Sequence, residues 1–336
     1  MFRQRIKKLH EQQTGQRTIL SSDYTKTMNA CNANLNPLPN PPTGLIAGWG
    51  RFPVQVAQKL KDQGRPVVAV AITGHASQEL DSICDQVLWA GVGKLGKHLR
   101  FFQRAGVKQV TMAGKLFKAE LLYQGSVWLR HFPDLTCIRT LGPCLLGNKR
   151  DARDDQLLLA ITSAYRRQGM EIFPATDIAP ELLVHEGHLA GPHATKQGQQ
   201  DTLFGWEIAK QMGGLDIGQA VTIKDGIVIA VEAIEGTDAC ISRTGELCKR
   251  GGWTLVKVSK PDQDMRFDVP TIGPQTVQNV SNAGGKTIAI EAHKTIVVDQ
   301  ELTFRLAEEL GVSIISLESP QDANSKSHQT SSVNAA

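Results

Sequence analysis

The sequence predicts an α/β protein of two domains, the first of which contains an open, doubly wound sheet. The chain has 336 residues, a length that suits two domains. Apolar runs bounded by glycine turns alternate with amphipathic segments, and this alternation is typical of a sheet with helices on both faces. With 41% hydrophobic and 21% charged residues, the composition is that of a globular protein with a sizeable core.

The elements of the first domain follow in order from residue 43. Residues 43–47 predict a short strand, and a helix begins at Pro53 with its apolar residues on one face. The continuous apolar run at 66–72 is typical of a strand that is buried on both faces of a parallel sheet. The same patterns predict further strands at 86–89, 109–113 and 170–173 and helices at 95–105 and 154–165.

The second domain is predicted to open with a helix at 203–211. Two apolar runs within 220–232 are separated by Lys224-Asp225-Gly226, which indicates a β-hairpin. A strand at 253–258 follows, and helices and strands then alternate to the end of the domain, at 274–283, 287–292, 295–298 and 301–310.

These elements define the expected domain boundaries. Residues 1–42 are basic and then rich in Asn, Pro, Thr and Ser, so they bury too little apolar surface to offset the entropy of ordering, and we expect a disordered extension. We expect the first domain at 43–176, a linker with loops at 177–202, the second domain at 203–317, and a disordered tail at 318–336.

The net charge and the absence of targeting signals narrow the function classes. A formal charge of +4 suits anionic small molecules or an anionic membrane surface, and with only 5% aromatic residues it gives no case for nucleic acid. No signal peptide opens the chain, and no window reaches the roughly 18 apolar residues of a membrane span. The six cysteines form no CxxC pair, so we expect a cytosolic protein with free thiols.

Carboxylates and basic residues are dense between residues 257 and 273. Two prolines and the lack of an apolar period predict an ordered surface loop there. Mg²⁺ prefers one or two carboxylates together with phosphate oxygens, so this composition suits a metal or phosphate site. A solvated charged loop is the alternative, and the residues alone leave both open. The charged residues are Lys257, Lys260, Asp262, Asp264, Arg266 and Asp268.

A second acidic stretch follows the hairpin. Glu232, Glu235 and Asp238 come after an apolar strand at a spacing of three, and side chains at a strand end can converge on a crevice. The pair Gly236-Thr237 between them suits a turn whose backbone N–H groups face an anion.

Two glycine-rich turns of the first domain are further candidates for binding phosphate. Gly48-Trp49-Gly50-Arg51 follows the first strand and resembles a nucleotide-binding turn, although it lacks the third glycine of that motif and a plain tight turn is the alternative. Gly96-Lys97 belongs to a second cluster of glycine and lysine before a helix.

Together these motifs resemble the LpxI family, the UDP-2,3-diacylglucosamine pyrophosphatases of lipid A synthesis. The resemblance covers about residues 43–317, and its three C-terminal motifs are specific in combination. They are Leu215-Asp216-Ile217-Gly218-Gln219, Glu235-Gly236-Thr237-Asp238 and Asp268-Val269-Pro270-Thr271-Ile272-Gly273.

The resemblance implies a Rossmann-like N-terminal domain, a distinct C-terminal α/β domain, and Mg²⁺-dependent hydrolysis of the substrate pyrophosphate to UMP and 2,3-diacylglucosamine 1-phosphate. It implies Asp268 as the essential aspartate, which would either bind Mg²⁺ or activate the water. We also assign Asp238 and Glu235 as catalytic residues that support the metal or the substrate, with Asp268 and Asp238 as the candidate metal ligands. The implied substrate-binding residues are Gly48, Gly50, Arg51, Gly96, Lys97, Gln219, Gly236, Thr237, Lys260, Gln263 and Arg266.

The expected partner is a lipid-linked UDP-sugar, with no nucleic acid and at most a peripheral contact with the inner membrane from the cytoplasm. A homodimer stays open. Segment 113–118 and the Gly-Trp-Gly turn depart from the family pattern. They motivate one alternative, a non-catalytic protein that binds a nucleotide or lipid on the same scaffold.

Overall fold

A computed structural model describes residues 41–115, 132–146, 154–261, 263–267 and 269–318. The predicted N-terminal extension lies outside these residues except for Pro41 and Pro42, and the predicted tail lies outside them except for Glu318. Asp262 and Asp268 also lie outside them.

The first half of the chain forms a five-stranded parallel sheet with the order β3-β2-β1-β4-β5. This order confirms the prediction of an open, doubly wound sheet, because the chain winds outward in both directions from β1. Every residue of β1 and β2 is buried, and for β2 this burial is what the continuous apolar run at 66–72 predicts. The strands are β1 (Thr43–Ala47), β2 (Val67–Ile72), β3 (Gln86–Ala90), β4 (Gln109–Ala113) and β5 (Glu171–Phe173).

Helices pack against this sheet and bury their apolar faces. In the first helix Pro53 occupies the first turn, where its missing N–H group costs nothing, and Val56, Ala57 and Leu60 are fully buried. The helices of this half are α1 (Phe52–Asp62), α2 (Leu80–Ile83), α3 (Leu95–Arg104), α4 (Leu135–Leu146) and α5 (Asp154–Arg167).

The second half forms a six-stranded mixed sheet with the order β6-β13-β11-β9-β7-β8. Its three central strands β9, β11 and β13 are parallel, whereas β6, β7 and β8 pair antiparallel to their neighbours. A two-stranded sheet of β10 and β12 lies outside it. The strands are β6 (Gly187–Ala190), β7 (Ala220–Lys224), β8 (Ile227–Val231), β9 (Trp253–Lys257), β10 (Thr271–Ile272), β11 (Gly285–Glu291), β12 (Ile296–Val297) and β13 (Ser313–Leu317).

The predicted hairpin is β7–β8. Its two turn residues Asp225 and Gly226 both have positive φ, 52° and 74°, which matches the right-handed twist of the flanking strands. The helices of the second half are α6 (Lys196–Gly214), α7 (Thr237–Leu247), α8 (Pro274–Asn282) and α9 (Gln300–Leu310).

The segment predicted as a linker with loops at 177–202 differs from that expectation. It contains β6, which pairs with β13 of the second sheet, and the first part of α6, which begins at Lys196 and not at residue 203. Thr195 caps this helix by accepting a hydrogen bond from the Gly198 N–H group. Polar, glycine-containing sequence predicts a loop locally, but pairing with a distant strand and a side-chain cap decide the structure here.

Two further observations concern compartment and membrane. Within the described part of the chain, no helix is both long enough and apolar enough to cross a membrane. Cys84, Cys137, Cys240 and Cys248 are free thiols, as predicted. Burial raises the pKa of the Cys240 thiol to about 11.

Candidate functional site

The candidate site lies where the parallel strands of the second sheet end. The last residue of β9 is Lys257 and the last residue of β11 is Glu291. In an α/β sheet, ligands bind in the crevice outside the carboxyl ends of the strands. Both are charged residues that end a strand, and both are buried, with exposed fractions of 1% and 0%.

Lys257 is held by two segments that are distant in the sequence. Its Nζ donates to Thr237 Oγ1 over 3.1 Å and to the backbone carbonyl oxygen of Thr271 over 3.0 Å. Thr237 is the first residue of α7, and Thr271 is the first residue of β10. Because a buried amino group is costly without hydrogen-bond acceptors, these contacts explain how a lysine is tolerated here.

The hydrogen bonds continue from Thr237 into a buried carboxylate. Thr237 Oγ1 donates to Glu232 Oε1 over 2.6 Å, and Glu232 Oε2 accepts from the Gln219 N–H group over 3.4 Å. The side-chain oxygen of Gln219 is buried and accepts no hydrogen bond from the residues that the structure describes. We call Gln219, Glu232, Thr237, Lys257 and Thr271 the polar cluster.

The turn before α7 buries one of its polar side chains and leaves two acidic side chains exposed. Gly236 has φ of 84°, a conformation that glycine adopts without strain, and it places Thr237 inside the polar cluster. Glu235 and Asp238 are exposed. Glu235 pairs with Arg243 over 2.9 Å, and Asp238 Oδ1 accepts from the Asn279 side-chain amide over 2.9 Å.

The charged and polar side chains of the segment before Asp268 form hydrogen bonds with other residues of the protein. Arg266 donates to both carboxylate oxygens of Asp264, at 2.6 to 3.0 Å. This hydrogen bonding raises the pKa of Arg266 and lowers the pKa of Asp264. Lys260 donates to Asp216. The Gln263 amide donates to the Phe267 carbonyl over 2.8 Å, and its own oxygen is buried without a partner.

Glu291 organises a second network that the sequence analysis missed. It accepts from Lys210 Nζ over 2.6 Å, from the Ser259 N–H group over 2.8 Å and from the Ser259 hydroxyl over 2.7 Å. This network anchors the chain just after β9, where the segment that leads to Asp268 begins. The signal in the sequence was a charged residue directly after a short apolar run, Ile288-Ala289-Ile290 before Glu291, as Leu255-Val256 precede Lys257.

In the first half, the predicted turn at Gly48 packs against the chain. The Gly48 N–H group donates to the Ala113 carbonyl over 2.8 Å, and Trp49 and Lys115 form an isolated β-bridge. A Cβ atom on Gly48 would lie 2.7 Å from the Lys115 carbonyl oxygen, so this glycine is required for close packing. Gly50 has φ of 102° with open space around it.

At the second predicted turn, a carboxylate of the protein receives the backbone N–H groups. Asp134 Oδ2 accepts from Gly96 N over 2.8 Å and from Lys97 N over 3.3 Å. Asp134 Oδ1 accepts from Cys137 N over 2.8 Å, so one side chain caps the first turns of both α3 and α4.

Arg51 connects the two halves of the chain. It donates to Glu79 Oε2 over 2.5 Å, and its Nε lies 3.5 Å from Asp299 Oδ2. Asp299 follows β12, and β12 pairs with β10. Arg51 therefore links the carboxyl end of β1 to the strand that follows Asp268. In addition, Ile296 and Val298 pack in the apolar cluster of the first sheet.

The structure therefore brings Gln219, Gly236, Thr237 and the strand after Asp268 together. The first-half positions are not part of this polar cluster. Among the described residues, no three or more His, Cys, Asp or Glu side chains form a metal-binding group. Mg²⁺ needs only one or two carboxylates when phosphate oxygens complete its shell, and exposed Asp238 fits such a ligand.

These features define a class: a two-domain α/β protein with a buried polar cluster at the carboxyl edge of its second sheet. Residues 42–182 match the family model of the LpxI N-terminal domain, and residues 185–315 match that of the LpxI C-terminal domain. The chain belongs to the LpxI family.

A relative and two solved structures complete the comparison. The chain is 29% identical over 286 residues to the UDP-2,3-diacylglucosamine pyrophosphatase LpxI of Caulobacter vibrioides, covering 83% of this chain and 98% of the relative. A GalE-like L-threonine dehydrogenase from Cupriavidus necator is 10% identical, with coverage of 84% and 88% and a TM-score of 0.30. The biotin carboxylase subunit of pyruvate carboxylase is 12% identical, with coverage of 57% and 36% and a TM-score of 0.23. Neither TM-score is high enough to indicate a shared overall fold.

Proposed function

We propose that this chain hydrolyses the pyrophosphate of UDP-2,3-diacylglucosamine to UMP and 2,3-diacylglucosamine 1-phosphate. The family matches across both halves and the name of the Caulobacter vibrioides relative support this proposal. The structural observation that carries it is the polar cluster, in which Lys257 joins the turn before Asp238 to the strand that follows Asp268.

The proposed reaction adds water across the P–O–P bridge. The water oxygen bonds to the phosphorus nearer the sugar and loses its protons, while the bridging P–O bond breaks and its electron pair leaves with UMP. Catalysis of this kind depends on positioning the water and on stabilising charge on the phosphoryl oxygens. Turnover in ¹⁸O-labelled water should therefore place the label in the lipid phosphate, and label in UMP would contradict this direction of attack.

The proposed roles follow the residues in this chain. Asp268 binds Mg²⁺ or activates the water, Asp238 is a second metal ligand, and Glu235 supports the metal or the substrate. Mg²⁺, when bound, neutralises charge on the phosphate oxygens. Lys260 and Arg266 contact phosphate, although in this structure they donate to Asp216 and Asp264, so the substrate must compete with these carboxylates.

The remaining substrate contacts are proposed on the same family grounds. Gln219 and Gln263 have buried side-chain oxygens without partners, which suits contact with a polar ligand. Gly236 and Thr237 belong to the turn before α7. Gly48, Gly50, Arg51, Gly96 and Lys97 stay predictions. For all of them except Gly50, the contacts within the chain described above compete with such a role.

The first experiment measures UMP release from the lipid nucleotide by purified protein with Mg²⁺. We expect turnover that EDTA abolishes and that added Mg²⁺ restores. Intact substrate after prolonged incubation with micromolar protein would refute the proposed activity.

A second experiment compares Asp268→Asn with Asp225→Asn. Asp225 is an exposed aspartate in the β7–β8 turn, and asparagine tolerates the same positive φ. We expect Asp268→Asn to lower kcat by about 100-fold or more while substrate still binds, and Asp225→Asn to leave kcat unchanged. Binding of the lipid nucleotide by a wild-type protein that never turns it over would favour the non-catalytic alternative.

We further propose a cytoplasmic enzyme whose contact with the inner membrane is at most peripheral. The protein should stay in the supernatant when phosphatidylcholine vesicles are sedimented. Firm pelleting that survives high salt would contradict this expectation, because salt weakens electrostatic contacts but not an inserted apolar element.

A further inference from the structure

Lys257 is the last residue of a central strand and is 1% exposed. Its neighbours in register are Ala220 on β7 and Ile290 on β11, so it is enclosed by strands on both sides. A methionine of similar length would satisfy the apolar surroundings at lower desolvation cost. Among the described residues, its amino group donates to Thr237 and to Thr271, and these polar contacts, not packing, explain a lysine at this position.

These two bonds join the two motifs that carry the proposed metal ligands. One acceptor is the hydroxyl of Thr237, which immediately precedes Asp238 in the first turn of α7. The other is a backbone carbonyl, that of Thr271, in the strand just after Asp268. A contact to a backbone atom fixes the path of the chain itself, so Nζ sets the separation between α7 and β10.

The orientation of Thr237 is fixed from its other side. Its hydroxyl has one proton, which it donates to Glu232 over 2.6 Å, so its lone pair is directed to Lys257. Glu232 in turn accepts from the Gln219 N–H group. The hydroxyl thus has a single arrangement that satisfies both neighbours.

We propose that Lys257 is a positioning residue of this site, one that holds the turn of Asp238 and the strand after Asp268 at the separation the reaction requires. The inference rests on the proposed pyrophosphatase activity. Loss of this tie relaxes the separation between the first turn of α7 and β10, and a misplacement of about 1 Å can cost about 100-fold in rate.

The test compares Lys257→Met with Lys224→Met in the full-length protein. Lys224, at the opposite end of neighbouring β7, also donates to a backbone carbonyl, that of Gly252 over 3.1 Å, and has no contact with the polar cluster. We expect Lys257→Met to lower kcat by about 30-fold or more with KM changed less than about threefold, because substrate groups are still present but misaligned. Lys224→Met should match the wild type in both constants.

A substitution at Thr237 provides a second measurement if Lys257→Met fails to fold. Thr237→Val keeps the shape but removes the hydroxyl that Lys257 contacts, and it should lower kcat by about tenfold or more with KM changed less than about threefold, whereas loss of a direct substrate contact would mainly raise KM. Thermal unfolding of each variant separates this effect from loss of folded protein.

The outcomes distinguish the two proposals. A wild-type protein without turnover refutes the proposed function itself. An active wild type with a folded Lys257→Met variant of equal kcat refutes the positioning role. So does a kcat that falls only in proportion to the folded fraction, or a folded Thr237→Val variant with the kcat of the wild type.

Discussion

In the first half of the chain, backbone N–H groups at the predicted phosphate turns donate to other parts of the protein, whereas in the second half charged side chains are buried at the end of the sheet. Gly96 and Lys97 donate to Asp134, and Gly48 donates to Ala113. In contrast, Lys257 and Glu291 lie within the protein at the carboxyl ends of parallel strands.

The ion pairs of the two halves also differ in exposure. The side chains of Arg51 and Glu79 are 48% and 54% exposed, whereas Glu291 is 0% and Lys210 is 20% exposed. Exposed pairs contribute little because water and salt screen them, but a buried charge needs its partners. Glycine turns therefore indicate close chain packing as readily as ligand binding, and buried charges at a strand end are the more specific signal for a site.

The largest stability effect should come from Glu291→Gln. This change removes the carboxylate charge of Glu291 from the partly buried amino group of Lys210, and we expect the free energy of unfolding to fall by about 3 kcal/mol. The control is Lys61→Met, which breaks the more exposed pair with Asp85 in the first half and should cost less than about 1 kcal/mol. Urea denaturation measures both, and equal losses would refute the contrast between the two regions.

An intermediate effect is expected for Gly96→Ala. The added Cβ would lie 2.6 Å from Thr136 Oγ1 and 3.0 Å from Asp134 Oδ2, so the cap shared by α3 and α4 must shift, at a cost of about 1 to 2 kcal/mol.

Gly142→Ala is the matched control for Gly96→Ala. Gly142 also lies in a helix, and an added Cβ meets nothing within 4 Å, so alanine should be neutral or stabilising there. Thermal unfolding reads the stability of both variants, and substrate kinetics read KM. A large rise in KM without loss of stability would instead support the prediction that Gly96 binds substrate.

The smallest effect concerns Asp264, whose pKa is lowered by its hydrogen bonds with Arg266. Because the folded-state pKa lies below the unfolded value, this pair stabilises the fold above about pH 4, and the contribution is lost as the pH falls through the folded pKa. Asp264 is 35% exposed, so Asp264→Asn should cost less than about 1 kcal/mol at pH 7.

Urea denaturation of wild type and Asp264→Asn between pH 7 and pH 3 measures this contribution. The difference between the two proteins should shrink toward acid. A difference that grows as the pH falls would contradict the direction of the pKa shift.

Sequence patterns were sufficient for elements whose hydrophobic period is strong. The strands at 43–47 and 109–113 agree at both ends with the structure, and the hairpin turn at Asp225-Gly226 is where the sequence predicts it. Local rules apply to these elements because their burial and turn chemistry are encoded within a few residues. The sequence did not predict strand β6, because this strand depends on pairing with the distant β13. It also did not predict where α6 begins, because that start depends on a cap from Thr195.

The sequence by itself determined the α/β class, the order of most elements and the motifs that resemble the LpxI family, because periodicity, turn residues and motif spacing are local properties of the chain. Only the tertiary structure decided which predicted residues meet. Lys257 joins Thr237 to Thr271, and Asp134 takes the N–H groups of Gly96 and Lys97. These contacts bridge segments distant in the sequence, and their geometry follows from how sheets and helices pack, which no local pattern encodes.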